Sequence, residues 1–356
     1  MATNYPTEPV SLKGKDLSTT VQIALKQLYS NRGLDPLKPK TEDIPGTVTP
    51  ADLKGSGTNV VNTLGGKIDL SKTATKDLQN LLVVNVTGNQ QHDITIKNNN
   101  FHGAIVMGDG DGNINTVNLV TNKSVVVETG KGNDSVSTGS GADSVVISAG
   151  NDTVKTGSGN DRVEIKSDFV GKAIVDGGTG TNTLSLSGVG KITLDAKGNF
   201  MADMDTQGSS VGFKNFKAIV LGNDPTLVDI AKSKASMSFA TGTGNDTITL
   251  GSGSDTIVVA GGNDSINTGA GVDIVKLASN FKGTLTLDGG AGSDKLDLSA
   301  LTIQSVAKID ATHVKVTLDD GSVLNVANIE NFIYDANGDL YGGITTVGVN
   351  ALDKLF

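Results

Sequence analysis

Hydrophobic and polar positions recur with a period of nine in two stretches of the chain. Residues 129–164 read TGKGNDSVS, TGSGADSVV, ISAGNDTVK and TGSGNDRVE, and residues 241–276 read TGTGNDTIT, LGSGSDTIV, VAGGNDSIN and TGAGVDIVK. In each unit a glycine-rich turn precedes a short alternation with one inward-facing apolar residue, which predicts a brief strand. The inward-facing residues are Val136, Val145, Val154, Val163, Ile248, Ile257, Ile266 and Val275. A fixed period indicates stacked units, because one unit cannot bury its apolar face until a neighbour covers it.

An aspartate occupies the same position in every unit, two residues before the inward-facing residue. These aspartates are Asp134, Asp143, Asp152, Asp161, Asp246, Asp255, Asp264 and Asp273. Because two units form one coil, aspartates 18 residues apart are expected to stack at the strand spacing of about 4.8 Å. Ionised carboxylates at that distance repel by about 3–4 kcal/mol at an effective dielectric constant of about 20. No lysine or arginine recurs in a matching position, so the pattern predicts a cation between stacked turns.

The donor atoms available in these turns indicate which cation is bound. Two carboxylates and the carbonyls of glycine-rich turns form an all-oxygen set, which suits Ca²⁺ better than Mg²⁺ or Zn²⁺. The candidate carboxylate ligands are the eight aspartates above and Asp294. The candidate carbonyl ligands are those of Gly130, Gly132, Gly139, Gly141, Gly157, Gly159, Gly242, Gly244, Gly251, Gly253, Gly269 and Gly271. The alternative, that the aspartates only cap turns, leaves the repulsion between stacked carboxylates uncompensated.

The repeat resembles the nonapeptide GGxGxDxUx of the RTX (repeats-in-toxin) proteins, in which U is a large aliphatic residue. The resemblance implies a calcium-loaded parallel β-roll. Here the first glycine is replaced by Thr, Ile, Leu or Val, and the third units have Ser148 and Ala260 at the second position. Glycine occupies both of the first two motif positions only in the segments that follow each tract, at Gly177-Gly178 before Asn182 and at Gly289-Gly290 before Asp294.

The repeat scheme is duplicated within the chain. Each aspartate of the second tract lies 112 residues after its counterpart, as Asp246 follows Asp134, and the correspondence continues past the repeats. We therefore expect an all-β fold, a duplicated calcium-binding parallel β-roll or β-solenoid with an N-terminal helix and an extended arm. The expected divisions are a helix and proline-rich assembly arm (1–57), a solenoid-like cap (58–128), a first RTX module (129–240) and a second RTX module (241–356).

The N-terminal region differs from the repeats. A helix is predicted from about residue 17 to residue 32, with Val21, Ala24, Leu25 and Leu28 at helical spacing. Its apolar face requires a partner, which is either the body of the protein or another subunit. Residues 34–57 contain Pro36, Pro39, Pro45 and Pro50, which favour an extended arm. We expect residues 1–57 to mediate self-assembly or contact with other structural subunits.

Composition and motifs argue against several classes of function. A net charge of −9 is unlike the basic surface that nucleic-acid binding requires. The chain has no cysteine and only three histidines, and it lacks HExxH, so zinc proteases and cysteine nucleophiles are not expected. The string Gly208-Ser209-Ser210-Val211-Gly212 matches GxSxG but lacks the surrounding strand, turn and helix of an α/β-hydrolase. No membrane span is expected from the hydropathy, and no cleaved signal peptide from the polar first residues.

These patterns favour a non-enzymatic, calcium-stabilised structural or adhesive protein of an extracellular assembly. The setting is either a bacterial surface layer or coat, or the exterior of a bacteriophage virion. The alternative is a type I secreted RTX accessory of an enzyme or toxin. The sequence leaves the choice between cell surface and virion surface open.

Overall fold

The computed structural model describes most of the chain from the first repeat onwards, and parts of the region before it. The described residues are 19–31, 41–44, 48–54, 60–63, 66–78, 81, 83–86, 91–107, 115–205, 208–335 and 344–348. Most of the predicted proline-rich arm lies outside the described residues, as do residues 1–18. The described chain divides into two compact units: Met1–Leu184 with Thr206–Phe216, and Ser185–Asp205 with Lys217–Phe356.

The secondary structure is dominated by short strands. The helices are α1 (Thr19–Asn31), α2 (Pro50–Leu53) and α3 (Thr75–Leu78). The strands are β1 (Thr41–Ile44), β2 (Val60–Thr63), β3 (Gly66–Asp69), β4 (Val83–Val86), β5 (His92–Lys97), β6 (Ala104–Val106), β7 (Thr116–Thr121), β8 (Val126–Glu128), β9 (Ser135–Gly139), β10 (Ser144–Ile147), β11 (Thr153–Gly157), β12 (Arg162–Ile165), β13 (Lys172–Asp176), β14 (Thr183–Leu186), β15 (Val189–Leu194), β16 (Phe200–Met204), β17 (Ser210–Lys214), β18 (Ala218–Leu221), β19 (Leu227–Asp229), β20 (Ser238–Ala240), β21 (Thr247–Thr249), β22 (Thr256–Val259), β23 (Gly262–Asn267), β24 (Ala270–Gly271), β25 (Ile274–Leu277), β26 (Gly283–Asp288), β27 (Ala291–Gly292), β28 (Lys295–Asp297), β29 (Ile303–Lys308), β30 (His313–Leu318), β31 (Val323–Ala327), β32 (Asn331–Asp335) and β33 (Ile344–Gly348).

The first unit is a parallel β-roll whose successive strands alternate between two sheets. One sheet runs β1-β2-β4-β6-β8-β10-β12, and the other runs β3-β5-β7-β9-β11-β13-β17. Within the repeats the register is 18 residues, since Ser135 pairs with Thr153 and Ser144 with Arg162. The predicted two-unit coil is therefore confirmed.

The second unit repeats this architecture. Its sheets run β18-β20-β22-β25-β28-β32-β33 and β16-β15-β19-β21-β23-β26-β31-β30-β29, with β24 and β27 as a separate short pair. The antiparallel pairs are β15 with β16, β29 with β30, β30 with β31 and β32 with β33, whereas the strands of the repeats pair in parallel. The expected fold class, an all-β duplicated parallel β-roll, is confirmed.

The core of each coil is a thin column of aliphatic side chains. Every inward-facing residue predicted from the repeats is at most 2 % exposed. Phenylalanines close the coils that follow each tract, with Phe169 in the first unit and Phe281 at the corresponding position of the second. The repeat period thus identified the buried positions correctly, because in a short strand alternate residues face opposite sides.

Helix α1 covers an apolar outer face of the first unit. Val21 and Leu25 are fully buried and join one cluster with residues of β2, β4, β6, β8 and β10, including Val83 and Val146. Of the two alternatives for the helix, the structure shows docking on the body of the protein. The side chains of Ala24 and Leu28, also predicted for this face, lie outside the described part.

Part of the predicted arm also belongs to the roll. Strand β1 pairs in parallel with β2, from Thr41 opposite Val60 to Ile44 opposite Thr63. Helix α2 has Pro50 at its start, and Leu53 is buried at 1 % exposure. These contacts place residues 41–44 and 50–53 at the N-terminal end of the first unit.

Candidate calcium-binding turns

All nine candidate aspartates lie at the ends of glycine-rich turns, and all are buried. Their exposed fractions range from 0 % to 3 %. The apolar residue two positions later points into the core, which fixes the direction of the short strand and turns the aspartate towards the neighbouring coil. Ionised carboxylates this deeply buried require compensation by hydrogen bonds or by a cation.

One oxygen of each carboxylate is satisfied by the backbone of the preceding coil. The Oδ1 atom of Asp152 accepts a hydrogen bond from the Asp134 N–H at 2.7 Å, and that of Asp161 accepts one from Asp143 at 2.8 Å. The same bond is made by Asp134, Asp143, Asp246, Asp255, Asp264, Asp273 and Asp294. Aspartates 18 residues apart therefore stack as predicted, linked through one oxygen.

In eight of the nine aspartates the second carboxylate oxygen has no hydrogen-bond partner. This Oδ2 atom is buried and unsatisfied in Asp134, Asp143, Asp152, Asp161, Asp246, Asp264, Asp273 and Asp294. An unsatisfied buried acceptor costs about 1–3 kcal/mol, and more when it is charged. Eight such oxygens at repeated positions indicate ligands of a cation, because turn capping by Oδ1 alone leaves them unexplained.

Burial raises the pKa of these carboxyl groups. It raises the pKa of Asp152 to about 8 and those of Asp143, Asp255, Asp264 and Asp294 to about 6. Repulsion from the stacked neighbour adds to the effect of burial in these five groups, whereas hydrogen bonds from the preceding coil oppose it. The pKa values of Asp134, Asp161 and Asp246 are also raised by burial. A cation beside these groups would restore the charged form.

The carbonyl oxygens of the turns point towards glycines of the next coil. A side chain at Gly157 would overlap the Gly139 carbonyl, and one at Gly159 would overlap the Gly141 carbonyl. Both glycines also have positive φ, at 91° and 130°. Glycine is therefore required twice over, by conformation and by the close stacking of carbonyls.

Four of the predicted carbonyl ligands already accept a backbone hydrogen bond. The Gly139, Gly157, Gly251 and Gly269 oxygens accept from Ser158, Thr179, Ala270 and Ala291, at 2.8–2.9 Å. A carbonyl oxygen has two lone pairs, so this bond leaves one for an ion. The other predicted carbonyl ligands lie in the same turns, at Gly130, Gly132, Gly141, Gly159, Gly242, Gly244, Gly253 and Gly271.

Threonine replaces the first glycine of several units and makes a specific bond. The Thr138 hydroxyl donates to the Thr156 carbonyl at 2.8 Å, and the Thr156 hydroxyl donates to the Gly177 carbonyl at 3.1 Å. In the third units, the Ser148 and Ala260 N–H groups donate to the hydroxyls of Thr129 and Thr241. These departures from the resembled motif are accommodated by hydrogen bonds between coils.

A second ladder of side chains was missed by the sequence reasoning. Asparagine precedes aspartate in five of the eight units, at Asn133, Asn151, Asn160, Asn245 and Asn263. The Asn133 Oδ1 accepts from the Asn151 N–H at 2.7 Å, and the Asn245 Oδ1 accepts from Asn263 at 2.7 Å. Each asparagine thus accepts from the following coil, whereas each aspartate accepts from the preceding one. The recurrent Asn-Asp pair was the signal for this ladder.

The donor set fits calcium as the sequence predicted. Among the described residues, no three His, Cys, Asp or Glu side chains form a metal-binding group. An ion in these turns would therefore be held by one or two carboxylates and by carbonyl oxygens. That set matches the irregular all-oxygen coordination of Ca²⁺ and lacks the nitrogen and sulfur ligands of Zn²⁺.

The GxSxG string lies at the start of β17 and is hydrogen-bonded to the backbone of the roll. Ser210 begins β17, and its N–H donates to the Gly171 carbonyl at 2.9 Å. The Ser209 hydroxyl accepts from the Gly171 N–H at 3.2 Å.

The described helices include none that is long and apolar enough to cross a membrane.

Comparison with known proteins identifies both tracts. Residues 126–154, 148–164 and 241–275 match the family described as the RTX calcium-binding nonapeptide repeat (4 copies). No curated protein matches the chain. The two tracts are RTX repeats in a parallel β-roll, and repeats of this family bind calcium.

Proposed function

We propose that this chain with two RTX tracts is a non-enzymatic, calcium-stabilised structural or adhesive protein of an extracellular assembly. The assembly is a bacterial surface layer or coat, or the exterior of a bacteriophage virion. The observation that carries the proposal is the repeated buried Oδ2 atom, unsatisfied in eight of the nine candidate aspartates.

The role of each part of the turn follows from its contacts. Bound calcium supplies the positive charge that the stacked carboxylates need. The Oδ1 atoms hold the carboxylates in place through backbone hydrogen bonds, so Oδ2 is oriented before an ion arrives. Glycines keep the carbonyls close together, and the aliphatic core below the turns excludes water. Because such a site does not exist in the unfolded chain, its binding energy contributes to folding.

An extracellular setting suits a protein whose folding depends on bound calcium. Proteins with these repeats are typically secreted. Calcium sites of extracellular modules bind weakly, in the range of about 10⁻⁴–10⁻³ M, and suit a fluid rich in calcium. A roll that needs several ions would be stable outside the cell and much less stable where calcium is scarce.

We propose that residues 1–57 provide contacts with further copies of the chain or with other structural subunits. Helix α1 buries Val21 and Leu25 against its own unit, whereas Ile23 is 54 % exposed on the outer side. This outer side is therefore available to a partner without loss of the intramolecular packing.

The calcium proposal is tested with two variants of neighbouring residues. Asp161 is buried with an unsatisfied oxygen, whereas Asn160 is exposed and accepts one hydrogen bond from Thr181 at 2.9 Å. We expect Asp161→Ala to reduce the calcium retained in equilibrium dialysis against about 1 mM calcium and to lower Tm in calcium. Asn160→Ala should retain all calcium and lose about 0.5–1.5 kcal/mol of stability. Wild-type protein that retains no calcium would overturn the proposal, as would equal retention by Asp161→Ala.

The assembly proposal is tested by sedimentation of calcium-loaded protein. We expect wild type to form oligomers and Ile23→Asp to remain monomeric with unchanged Tm. A monomeric wild type at all accessible concentrations would contradict self-assembly.

A screen against ester, peptide and glycoside substrates tests the non-enzymatic assignment, and calcium-dependent turnover would overturn it.

A further inference from the structure

The second unit contains the same β-hairpin twice. In one hairpin β15 pairs antiparallel with β16, and in the other β29 pairs antiparallel with β30. Both hairpins have a register shift near the start of their first strand. The shift lies between Val189 and Lys191 in the first hairpin and between Ile303 and Ser305 in the second. Because the shifts match, the two hairpins correspond residue by residue.

The two hairpins differ in what lies beside the outer edge of their first strand. Along β15 this edge pairs in parallel with β19, and Ile192 lies opposite Val228. Strand β29 is the last strand of its sheet, and no strand of the described chain pairs with its outer edge. One edge is therefore covered by a strand of the same unit, whereas the other is open.

Apolar side chains of the hairpin are fully buried only where the edge is covered. On β15, Val189 is 1 % exposed and Ile192 is 0 % exposed. Their counterparts on β29 are also aliphatic, but Ile303 and Val306 are only half-buried. Strand β29 thus carries the side chains of a covered strand at an open edge. A further strand beside it would remove this apolar surface from water.

The backbone of β29 also presents hydrogen-bonding groups at the open edge. The Ile309 N–H, just after the strand, donates to the His313 carbonyl at 2.9 Å. Since successive residues of an antiparallel pair alternate in direction, the N–H and C=O groups of Val306 point away from β30. Strand β29 contains neither proline nor an acidic residue, two means by which proteins keep an edge from pairing. Val306 therefore offers one donor and one acceptor to an incoming strand.

A second copy of the chain can supply that strand through its own β29. The strand that begins the corresponding sheet of the first unit is β3, but its outer edge is already bonded to Val48. The Val48 N–H donates to the Lys67 carbonyl, and the Val48 carbonyl accepts from the Asp69 N–H. These bonds block a head-to-tail pairing of β29 with β3, whereas the edge of a second β29 is open.

Two β29 strands fit each other in an antiparallel arrangement. With a two-fold axis at Val306, the outward-pointing groups of one Val306 meet those of the other, and the two valine side chains lie opposite each other. The only charged residue of the strand is Lys308, at its end. In an antiparallel pair the two lysines lie at opposite ends, so that like charges do not meet.

We propose that β29 is a second self-association edge, at which two copies of this chain pair antiparallel about a two-fold axis. The inference rests on the assembly proposal, because two short edges bury little surface and their contact alone is weak. It forms once the N-terminal contact has brought copies together and raised their effective concentration. Since Ile23 lies in the first unit and β29 in the second, the two contacts together link copies into chains.

Disulfide trapping in this cysteine-free chain tests the pairing directly. Val306→Cys places two thiols opposite each other on the two-fold axis. Thr286→Cys is the matched control, because it places one thiol on an exposed position of β26 in the same sheet. In calcium and a mild oxidant, we expect Val306→Cys to form covalent dimers on non-reducing gels and Thr286→Cys to form none. Adding Ile23→Asp to Val306→Cys should abolish the dimers.

Sedimentation of calcium-loaded protein provides a second test. Val306→Pro removes the N–H at the open edge and no hydrogen bond to β30, so its Tm should remain unchanged. We expect its oligomers to stop at the size that the N-terminal contact alone produces, whereas wild-type oligomers grow with concentration. Val306→Thr keeps the N–H and the size of the side chain, and it should assemble as wild type does.

The outcomes separate this inference from the proposal on which it rests. If wild type is monomeric at all accessible concentrations, the assembly proposal fails and the inference fails with it. If wild type forms oligomers that Val306→Pro leaves unchanged, only the pairing of β29 is overturned. Cross-linking of Val306→Cys no greater than that of Thr286→Cys would overturn it as well.

Discussion

Glycine in the turns determines how closely successive coils can approach. At Gly157 the φ angle is 91°, and an added side chain would overlap the Gly139 carbonyl of the preceding coil. At Gly208 the φ angle is similar, at 76°, but no atom lies near the added side chain. A side chain at either glycine would therefore be strained by the positive φ, but only one at Gly157 would also overlap a neighbouring coil.

We expect Gly157→Ala to destabilise the first unit far more than Gly208→Ala. A non-glycine residue at positive φ costs about 1–2 kcal/mol, and this cost applies to both variants. Only Gly157→Ala must also separate two coils, which lengthens hydrogen bonds and moves candidate calcium ligands. Thermal melting in saturating calcium measures the difference. Equal Tm values for the two variants would show that the coils tolerate a side chain between them.

Sequence reasoning located the carboxylates of the turns but missed much of their hydrogen bonding. The nine aspartates follow from a strict period, and their stacking 18 residues apart follows from two units per coil. Which oxygen accepts from which coil depends on backbone direction and side-chain rotamer, neither of which the period specifies. For the same reason the asparagine ladder and the contact of Glu330 with Asp294 became visible only in the structure.

At the scale of elements, the strands were easier to predict than the N-terminal region. The alternation of residues 135–137 or 247–249 is short but repeated, so each unit supports the assignment of the others. The helix was predicted at about residues 17–32 and begins and ends at Thr19 and Asn31. The sequence predicts the apolar face of this helix but not what it packs against, because a helical period identifies an apolar side without identifying its partner.

The packing of α1 predicts different effects for two of its apolar residues. Leu25 is fully buried in the cluster with β2, β4, β6, β8 and β10, whereas Ile23 is mostly exposed. We expect Leu25→Ala to lower the free energy of unfolding of the first unit by about 2–5 kcal/mol through loss of packing. Ile23→Ala should leave it nearly unchanged. Chemical denaturation in calcium measures both, and equal midpoints would contradict the observed docking of the helix.

At the scale of the whole molecule, stability is expected to depend on both protons and calcium. The buried aspartates have raised pKa values, so the folded state binds protons more tightly than the unfolded chain does. Without calcium, this stabilisation is fully present below the ordinary aspartate pKa of 3.8. It is lost as the pH rises through about 6 for Asp143, Asp255, Asp264 and Asp294, and through about 8 for Asp152.

Calcium should reverse this dependence, because a bound ion favours the ionised carboxylates that acid removes. We expect Tm in EGTA to fall between about pH 4 and about pH 8, and added calcium to raise Tm most at the alkaline end. Asp152→Asn is the diagnostic variant, since it should abolish the decline between about pH 6 and about pH 8 and only make the decline at lower pH shallower. Circular dichroism of the β signal during heating measures each Tm. A Tm in EGTA that stays constant or rises over this range would show that the buried carboxylates are compensated within the protein, and the cation would then not be required for folding.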